Sequence, residues 1–264
     1  MKQPGIFFKK VAVIIPCHNE AVSIARVIGK FPQSILVQHG IQLRVYVVDN
    51  ASSDATAAVA QEAGATVIYE PKKGKGNALR TGFRNIPTDV DYVVMLDGDD
   101  TYSPEEMWRI IEPLLSNFCD VVIGSRLSGY IQESAMSTLN RAGNQLFTSC
   151  VRILYGANVT DVLTGYFAWK KSTLDALRPH IESSGFAIEM EMITKMARLG
   201  FRMASVPISY HPRLGESHLH PFRDGYRILG MLLRNLAWHP QLAPLESDAA
   251  AYASQVTGNE VDGA

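Results

Sequence analysis

The sequence predicts an α/β protein in which a doubly wound, mostly parallel sheet is flanked by helices and followed by a helical extension. Three observations predict it. Apolar, β-branched runs recur at 11–15, 45–48, 66–69, 92–96, 121–123 and 204–208. Helical patterns lie between most of them, and such alternation of buried strands with helices builds parallel sheets. The apolar share of 47% and the charged share of 19% are ordinary for a globular chain, and 264 residues suffice for one large domain or two small ones.

In chain order, the first run breaks at Pro16 into Cys17-His18-Asn19-Glu20, and a helix is expected over 23–31. The second run ends in Val48-Asp49-Asn50 and precedes an Ala-rich helix over 54–63, capped by Ser53 or Asp54 and stopped by Gly64. The third is followed by Gly74-Lys75-Gly76-Asn77 and a helix over 77–84. After the fourth, Ser103, Pro104 and Glu106 stand at the N-cap, N1 and N3 positions of a helix over 105–115. The rhythm changes near Ser128. A helix over 140–155 gathers Leu146, Phe147, Cys150, Val151 and Leu154 on one face and stops at Gly156, and another spans 188–199 before Gly200. We therefore expect one domain over 1–240, with 11–127 and 128–240 as its halves, the second completing a pocket over the sheet. Residues 241–264 lack periodicity and read as a mobile tail.

Bulk properties narrow the function. A formal net charge of -1 gives no electrostatic reason for a nucleic-acid partner. Cys17, Cys119 and Cys150 are odd in number, widely spaced and flanked by apolar residues, which fits buried reduced thiols better than disulfides or a zinc site. No long apolar segment follows Met1, and no window of 18 uncharged apolar residues exists, so a cytoplasmic chain without a spanning helix is expected.

The chemistry concentrates where the fourth strand ends, at Asp97-Gly98-Asp99-Asp100. Asp97 and Asp99 are two apart, so in extended backbone they project to one face. Gly98 permits close approach of a ligand or of backbone. An isolated D-x-D is most simply a solvated acidic turn. Here it sits in a strand-to-helix connection at the carboxyl end of a buried strand, where open α/β sheets bind ligands. Two adjacent oxygen ligands suit Mg²⁺ or Mn²⁺ on a diphosphate. Glu20 either accepts the hydroxyls of a ribose or belongs to a helix-start pair with Asn19. Asp49 cannot be solvated within the core, and with Asn50 it can face a nucleobase edge. Neither G-x-G-x-x-G nor G-x-x-x-x-G-K-[ST] occurs, which argues against a dinucleotide dehydrogenase and a P-loop NTPase. The glycines of Gly74-Lys75-Gly76 stand at a helix start where a phosphate could approach.

The order P-x-x-N-E, V-D-N-x-S-x-D, G-K-G-N-A and D-G-D-D resembles the nucleotide-sugar half of family-2 glycosyltransferases with the Rossmann-like GT-A fold. Gly124-Ser125-Arg126, Asp161-Val162-Leu163-Thr164-Gly165, Glu189-Met190-Glu191-Met192 and Gly215-Glu216-Ser217-His218-Leu219 then follow the order of dolichyl-phosphate mannose synthases and related polyprenyl-phosphate glycosyltransferases. The resemblance runs from about Val11 to Trp238. It implies that Pro16, His18 and Glu20 line the nucleoside, that Asp49 and Asn50 meet the base, and that Asp97 and Asp99 bind the metal with Gly98 against the ligand. It further implies that Arg126 and Arg213 contact phosphate, that Asp161 and Thr164 shape the sugar or acceptor pocket, and that Glu191 lies beneath it. His18 replaces the family's usual Tyr and His218 its usual Lys, a permanent cation against the diphosphate. Both a GDP-mannose and a UDP-glucose type of donor therefore stay compatible. The implied reaction inverts configuration while moving a hexose to a polyprenyl or dolichyl phosphate. A soluble acceptor or a catalytically silent nucleotide-sugar-binding subunit are the other readings. A lipid acceptor calls for peripheral membrane contact. Residues 222–238, with Arg223, Arg227 and Arg234 among apolar positions, either lie in the lipid interface or pack on the domain.

Overall fold

A computed structural model describes residues 8–215 and 220–240. His218 and the N-terminal and C-terminal segments treated above lie outside the described residues. The strands are β1 (Lys9–Cys17), β2 (Ile41–Asp49), β3 (Thr66–Tyr69), β4 (Tyr92–Met95), β5 (Val121–Ile131), β6 (Phe167–Lys170) and β7 (Met203–Tyr210). The helices are α1 (Ile24–Gly29), α2 (Gln33–Gln38), α3 (Thr56–Glu62), α4 (Lys75–Arg84), α5 (Met107–Leu115), α6 (Thr138–Tyr155), α7 (Lys171–Leu177), α8 (Ile188–Arg198) and α9 (Pro221–Leu236).

One seven-stranded sheet runs β3-β2-β1-β4-β6-β5-β7. All neighbours are parallel except β6, which lies antiparallel to both β4 and β5. Strands β1 and β4 are apolar on both faces because helices cover both. Along β1, Ala12 and Ile14 enter one core with Phe83, Trp169 and Met190, while Val11, Val13 and Ile15 enter the other with Ile24, Ile110 and Tyr102. The chain winds outward from β1 through β2 to β3 and then returns to place β4 on the other side of β1. Between β1 and β4 lies the switch point of the sheet, and their carboxyl ends, residues 16–20 and 97–99, open side by side there.

Several elements differ from the sequence-based expectation. Strand β6 and helices α2 and α7 were not expected; each is seven residues or shorter, too brief for periodicity to announce. Helix α3 starts at Thr56 without a side-chain cap, and Asp54 instead accepts from the amide and hydroxyl of its neighbour Thr56 (3.0 and 2.5 Å). At Ser103 the hydroxyl donates to Glu105 rather than capping, and a 3₁₀ turn over Pro104–Glu106 leads into α5. Helix α6 does have a cap, the Ser137 hydroxyl accepting from the Asn140 amide (3.2 Å), and Gly156 ends it at φ 65°. Its inward face is Asn144, Thr148 and Val151 with Phe147 and Cys150 partly buried, whereas Leu146, Ile153 and Leu154 face outward. The cysteines are free, Cys17 and Cys119 buried and Cys150 half-buried. Strands β6 and β7 come from the second half of the chain, so both halves build one sheet.

Candidate active site

Two cavities, of about 370 and 420 Å³, meet above the switch point. The first is lined by Pro16, His18, Glu20, Asn50 and Gly98, the second by Tyr102, Arg126, Asn144, Leu163 and Glu189. Lys75, Asp97, Asp99, Phe186, Arg213 and Asp224 border both. The carboxylates at the end of β4 thus stand at the junction.

The three acidic residues there part company. Asp100 adopts φ 62°, turns out of the cleft and pairs with Lys30 (2.6 Å) and Arg26 (3.4 Å). Asp99 accepts from the amide and hydroxyl of Thr101 (3.1 and 2.6 Å) and pairs with Arg213 (2.9 Å). Burial and the neighbouring Asp97 raise the Asp99 pKa, and Arg213 offsets part of that. Asp97 pairs with Lys75 (2.6 Å), whose ammonium also reaches Glu189 (2.6 Å). Burial works against the Lys75 charge, but Asp97 and Glu189 outweigh it and hold the pKa above the ordinary lysine value. A side chain at Gly165 would collide with the Asp97 carboxylate, so the glycine is what leaves room for it. The Tyr102 hydroxyl accepts from the Gly165 amide (2.6 Å) and fixes that backbone.

These donors fit a phosphate-bound divalent cation. Two carboxylates meet in one cleft, and the basic side chains facing them are shared with Glu189 and Glu20, so two cations serve four carboxylates. Among the described residues no three His, Cys, Asp or Glu converge on a metal position. Mg²⁺ and Mn²⁺ at phosphates take one or two carboxylates and complete their shell from phosphate and water, unlike ions held in an all-protein cage.

Around the first cavity, Glu20 is buried, ion-pairs with Arg213 and accepts from Ser23 (3.1 Å). Burial pushes its pKa up to about 7, against the pull of Arg213. In the unfolded chain this carboxyl titrates near 4.5. Its contribution to folding is therefore complete below pH 4.5 and lost as pH rises through 7. Thermal melts without divalent cation should show stability falling between pH 5 and 8, and Glu20→Gln should flatten that slope. An unchanged slope in the variant would assign the dependence to another group.

His18 Nδ1 donates to the Asn50 carbonyl (2.8 Å), which orients the imidazole at the cavity wall. Asn50 spends its side chain on the 70–74 turn, donating to the carbonyls of Glu70 (3.2 Å) and Lys72 (2.8 Å) and accepting from the Gly74 amide (2.6 Å). Asp49 is buried below the cavity, accepts from the Ser52 amide (3.3 Å) and lines neither pocket. A Cβ at Gly98 would sit 2.5 Å from the Cys17 sulfur, so the glycine serves packing against β1 while its backbone borders the cavity.

Around the second cavity, the Arg126 guanidinium is bidentate to Asp161 (2.8 and 2.9 Å) and also donates to the Leu163 carbonyl (2.6 Å). Asp161, wholly buried, additionally accepts from the Arg126 amide (3.0 Å) and from Asn144 (2.7 Å). It acts by placing Arg126 rather than by lining the cavity. Thr164 is also buried and accepts from the Tyr166 amide (3.2 Å). Glu191 accepts from the amides of Glu182 (3.0 Å) and Ser183 (2.8 Å) and pairs with Lys195 (2.7 Å), so it fixes the 182–183 segment beneath the pockets. Gly74 and Gly76 pack on this segment: a Cβ at either would collide with the Ser184 or Ser183 carbonyl. The missing side chains serve this backbone packing, and Gly74 also borders the first cavity.

Sequence reasoning missed Lys75, Glu189, Tyr102 and Phe186. Lys75 stood inside a motif valued only for its glycines. Glu189 and Glu191 lie about 200° apart around α8, so only one of them can face the cleft, and the phase of the apolar positions around them was the signal available.

A model of the glycosyl transferase family 2 matches residues 12–176. The chain is 34% identical over 251 residues to "Glycosyltransferase AglJ" of Haloferax volcanii, covering 94% of this chain and 78% of that one. It is 33% identical over 221 residues to the same organism's "Dolichyl-phosphate hexose transferase", covering 84% and 91%. In architecture it is similar to glucosyl-3-phosphoglycerate synthase of Mycobacterium tuberculosis, solved in complex with Mn²⁺, uridine diphosphate and phosphoglyceric acid. The TM-score is 0.67 at 21% identity, with 88% of this chain and 80% of that one covered, a likeness of GT-A fold.

Proposed function

The chain belongs to glycosyl transferase family 2, and on that premise we propose that it moves a hexose from a nucleotide diphosphate sugar to a polyprenyl phosphate, with inversion. One observation carries the reading. Two cavities share the carboxylate corner, and the second opens beneath α6 and α9, two contacting helices with apolar outer faces.

In this reading the nucleoside lies against Pro16, His18 and Glu20, with Asn50 bracing the loop beneath it. Asp97 and Asp99 hold Mg²⁺ or Mn²⁺, which supplies the positive charge opposite the departing diphosphate. Arg213 and Lys75 are the cations nearest that charge and are already desolvated and aimed, so they reorganise little as it develops. Both are now paired to the two carboxylates and exchange those partners for phosphate oxygens when the donor binds. Glu189 borders the second cavity with its charge paired to Lys75 at 2.6 Å. A phosphate acceptor arrives already anionic and needs no proton removed. Attack comes from the second cavity, on the face of the sugar opposite the diphosphate.

The outer faces support a lipid acceptor. Leu139, Leu146 and Ile153 recur every seven residues on α6 and are 56%, 64% and 81% exposed. Phe222, Tyr226, Leu229 and Leu233 form the matching stripe on α9. Arginines flank both stripes, namely Arg141 and Arg152 on α6 and Arg223, Arg227 and Arg234 on α9. An apolar face bordered by cations suits an anionic bilayer surface. No helix among the described residues is long and apolar enough to cross a membrane. Vesicles of phosphatidylglycerol and phosphatidylcholine should therefore carry the protein in flotation, and Ile153→Asp with Leu233→Asp should reduce the floating fraction at least tenfold. Equal flotation of the variant would remove this face from membrane contact.

The transfer itself is tested with a panel of labelled nucleotide sugars, a short polyprenyl phosphate and Mn²⁺. Label should pass into the organic phase for one donor. Label appearing only in a water-soluble product would redirect the acceptor assignment, and no consumption of any donor would refute turnover.

A further inference from the structure

Helix α9 has three faces. Asp224, Ile228, Leu232 and Asn235 are buried, and Phe222, Tyr226, Leu229 and Leu233 point outward. The third face carries Arg223 and Arg227, one turn apart, and both border the first cavity. Neither is committed to a strong ion pair: each lies near the same carboxylate, Asp224, at 3.6 and 3.5 Å, beyond the 2.7–2.9 Å of a charge-assisted hydrogen bond. Asp224 is itself buried, and its second oxygen accepts from the His220 amide (2.9 Å). The two arginine side chains stay 57% and 62% exposed at the rim.

The other cations of this cavity are differently placed. Lys75 and Arg213 are bound to the carboxylates that would hold the metal. Lys73 borders the cavity as well, exposed on the 70–74 turn. Once Asp97 and Asp99 are claimed by a divalent cation, positive charge is in excess across the cavity, and two of the cations not paired to those carboxylates sit one turn apart on α9. Resting on the donor reading above, we propose that Arg223 and Arg227 bind the diphosphate of the donor from the α9 side. The nucleotide is then held between the carboxyl ends of the strands and this helix. Guanidinium forks are suited to phosphate oxygens, and two of them one turn apart can grip a diphosphate at more than one oxygen. The residues lie outside every motif that carried the sequence reading. The same helix presents its apolar stripe outward, so donor contact and surface contact share one rigid element.

The test is calorimetric titration of the full chain with UDP and GDP in Mn²⁺. Arg223→Ala and Arg227→Ala should each weaken the nucleotide that binds about tenfold, the effect of losing one charge-assisted hydrogen bond. Inorganic pyrophosphate should weaken in parallel, and binding of the bare nucleoside should not change. Arg234→Ala, whose arginine pairs with Glu182 away from both cavities, should leave the nucleotide affinity unaltered. Melting curves confirm folding, and Arg223→Gln and Arg227→Gln replace any alanine variant that fails to fold. If the double variant binds nucleoside diphosphate within twofold of the unaltered protein, the inference is overturned while the donor reading stands. If the unaltered protein binds neither nucleotide, both are overturned.

Discussion

Asp99→Ala is expected to lower hexose transfer by roughly a thousandfold, because it removes several kcal/mol of stabilisation from the charge that develops on the leaving diphosphate. The aspartate performs two jobs at one place. It is one of two oxygen donors at the exit of β4, and it receives Arg213 at 2.9 Å. On the proposed reading its removal would take a ligand from the cation, and it releases the arginine toward Glu20, its other partner. Asp100→Ala is the contrasting experiment. That carboxylate is adjacent in sequence and equally buried, but it faces Lys30 and Arg26 on the far side of the turn. Its loss should reduce stability and leave turnover within a few-fold. Equal losses from the two substitutions would mean that acidic character of the turn, and not the position of Asp99, is what the reaction needs. Initial rates at saturating donor, with Mn²⁺ varied, separate these outcomes.

Asp161→Ala should destabilise the fold by about 3–5 kcal/mol, the range for breaking a buried ion pair by removing one partner. Arg126 would keep its charge at 7% exposure with only the Leu163 carbonyl and the face of Tyr210 for company. The Asn144 amide, now bonded to Asp161 at 2.7 Å, would lose its acceptor as well. For a chain of this size the loss corresponds to roughly 10 °C in Tm. Asp161→Asn keeps the volume and part of the hydrogen bonding and should lie between the two. Differential scanning calorimetry at pH 7 reads the effect directly. A Tm within 2 °C of the unaltered protein for Asp161→Ala would contradict the structural role assigned to the pair.

These two aspartates show what the sequence made legible and what it did not. The strand-then-carboxylate pattern at 92–99 placed Asp97 and Asp99 at the mouth of the sheet, because an apolar run that ends abruptly in polar residues has to surface there. Motif order identified the neighbours that share the cleft with them, Pro16, His18, Glu20 and Arg213. Roles were harder. Asp49, Asp161, Thr164 and Glu191 are polar residues inside motifs, yet each is buried and turned to backbone amides or to a basic partner. A motif tells which residues occur together, not which of them touches solvent. That depends on tertiary packing, such as the fit of Gly74 and Gly76 against 183–184. Likewise the apolar positions of α6 are spread around the helix, and a count of hydrophobic residues could not distinguish the stripe facing the core from the one facing outward. Strand β6 escaped because its four residues derive their strand geometry from β4 and β5 on either side.

In the proposed reaction Asp97 and Asp99 bind a divalent cation together with the diphosphate of the donor. Manganese electron paramagnetic resonance, titrated with and without nucleoside diphosphate, measures this most directly. Weak Mn²⁺ binding alone, at least tenfold tighter binding with the nucleotide, and loss of that gain in Asp97→Asn and Asp99→Asn are expected. Tight Mn²⁺ binding that ignores the nucleotide, or a gain that survives both substitutions, would contradict that role for the two aspartates.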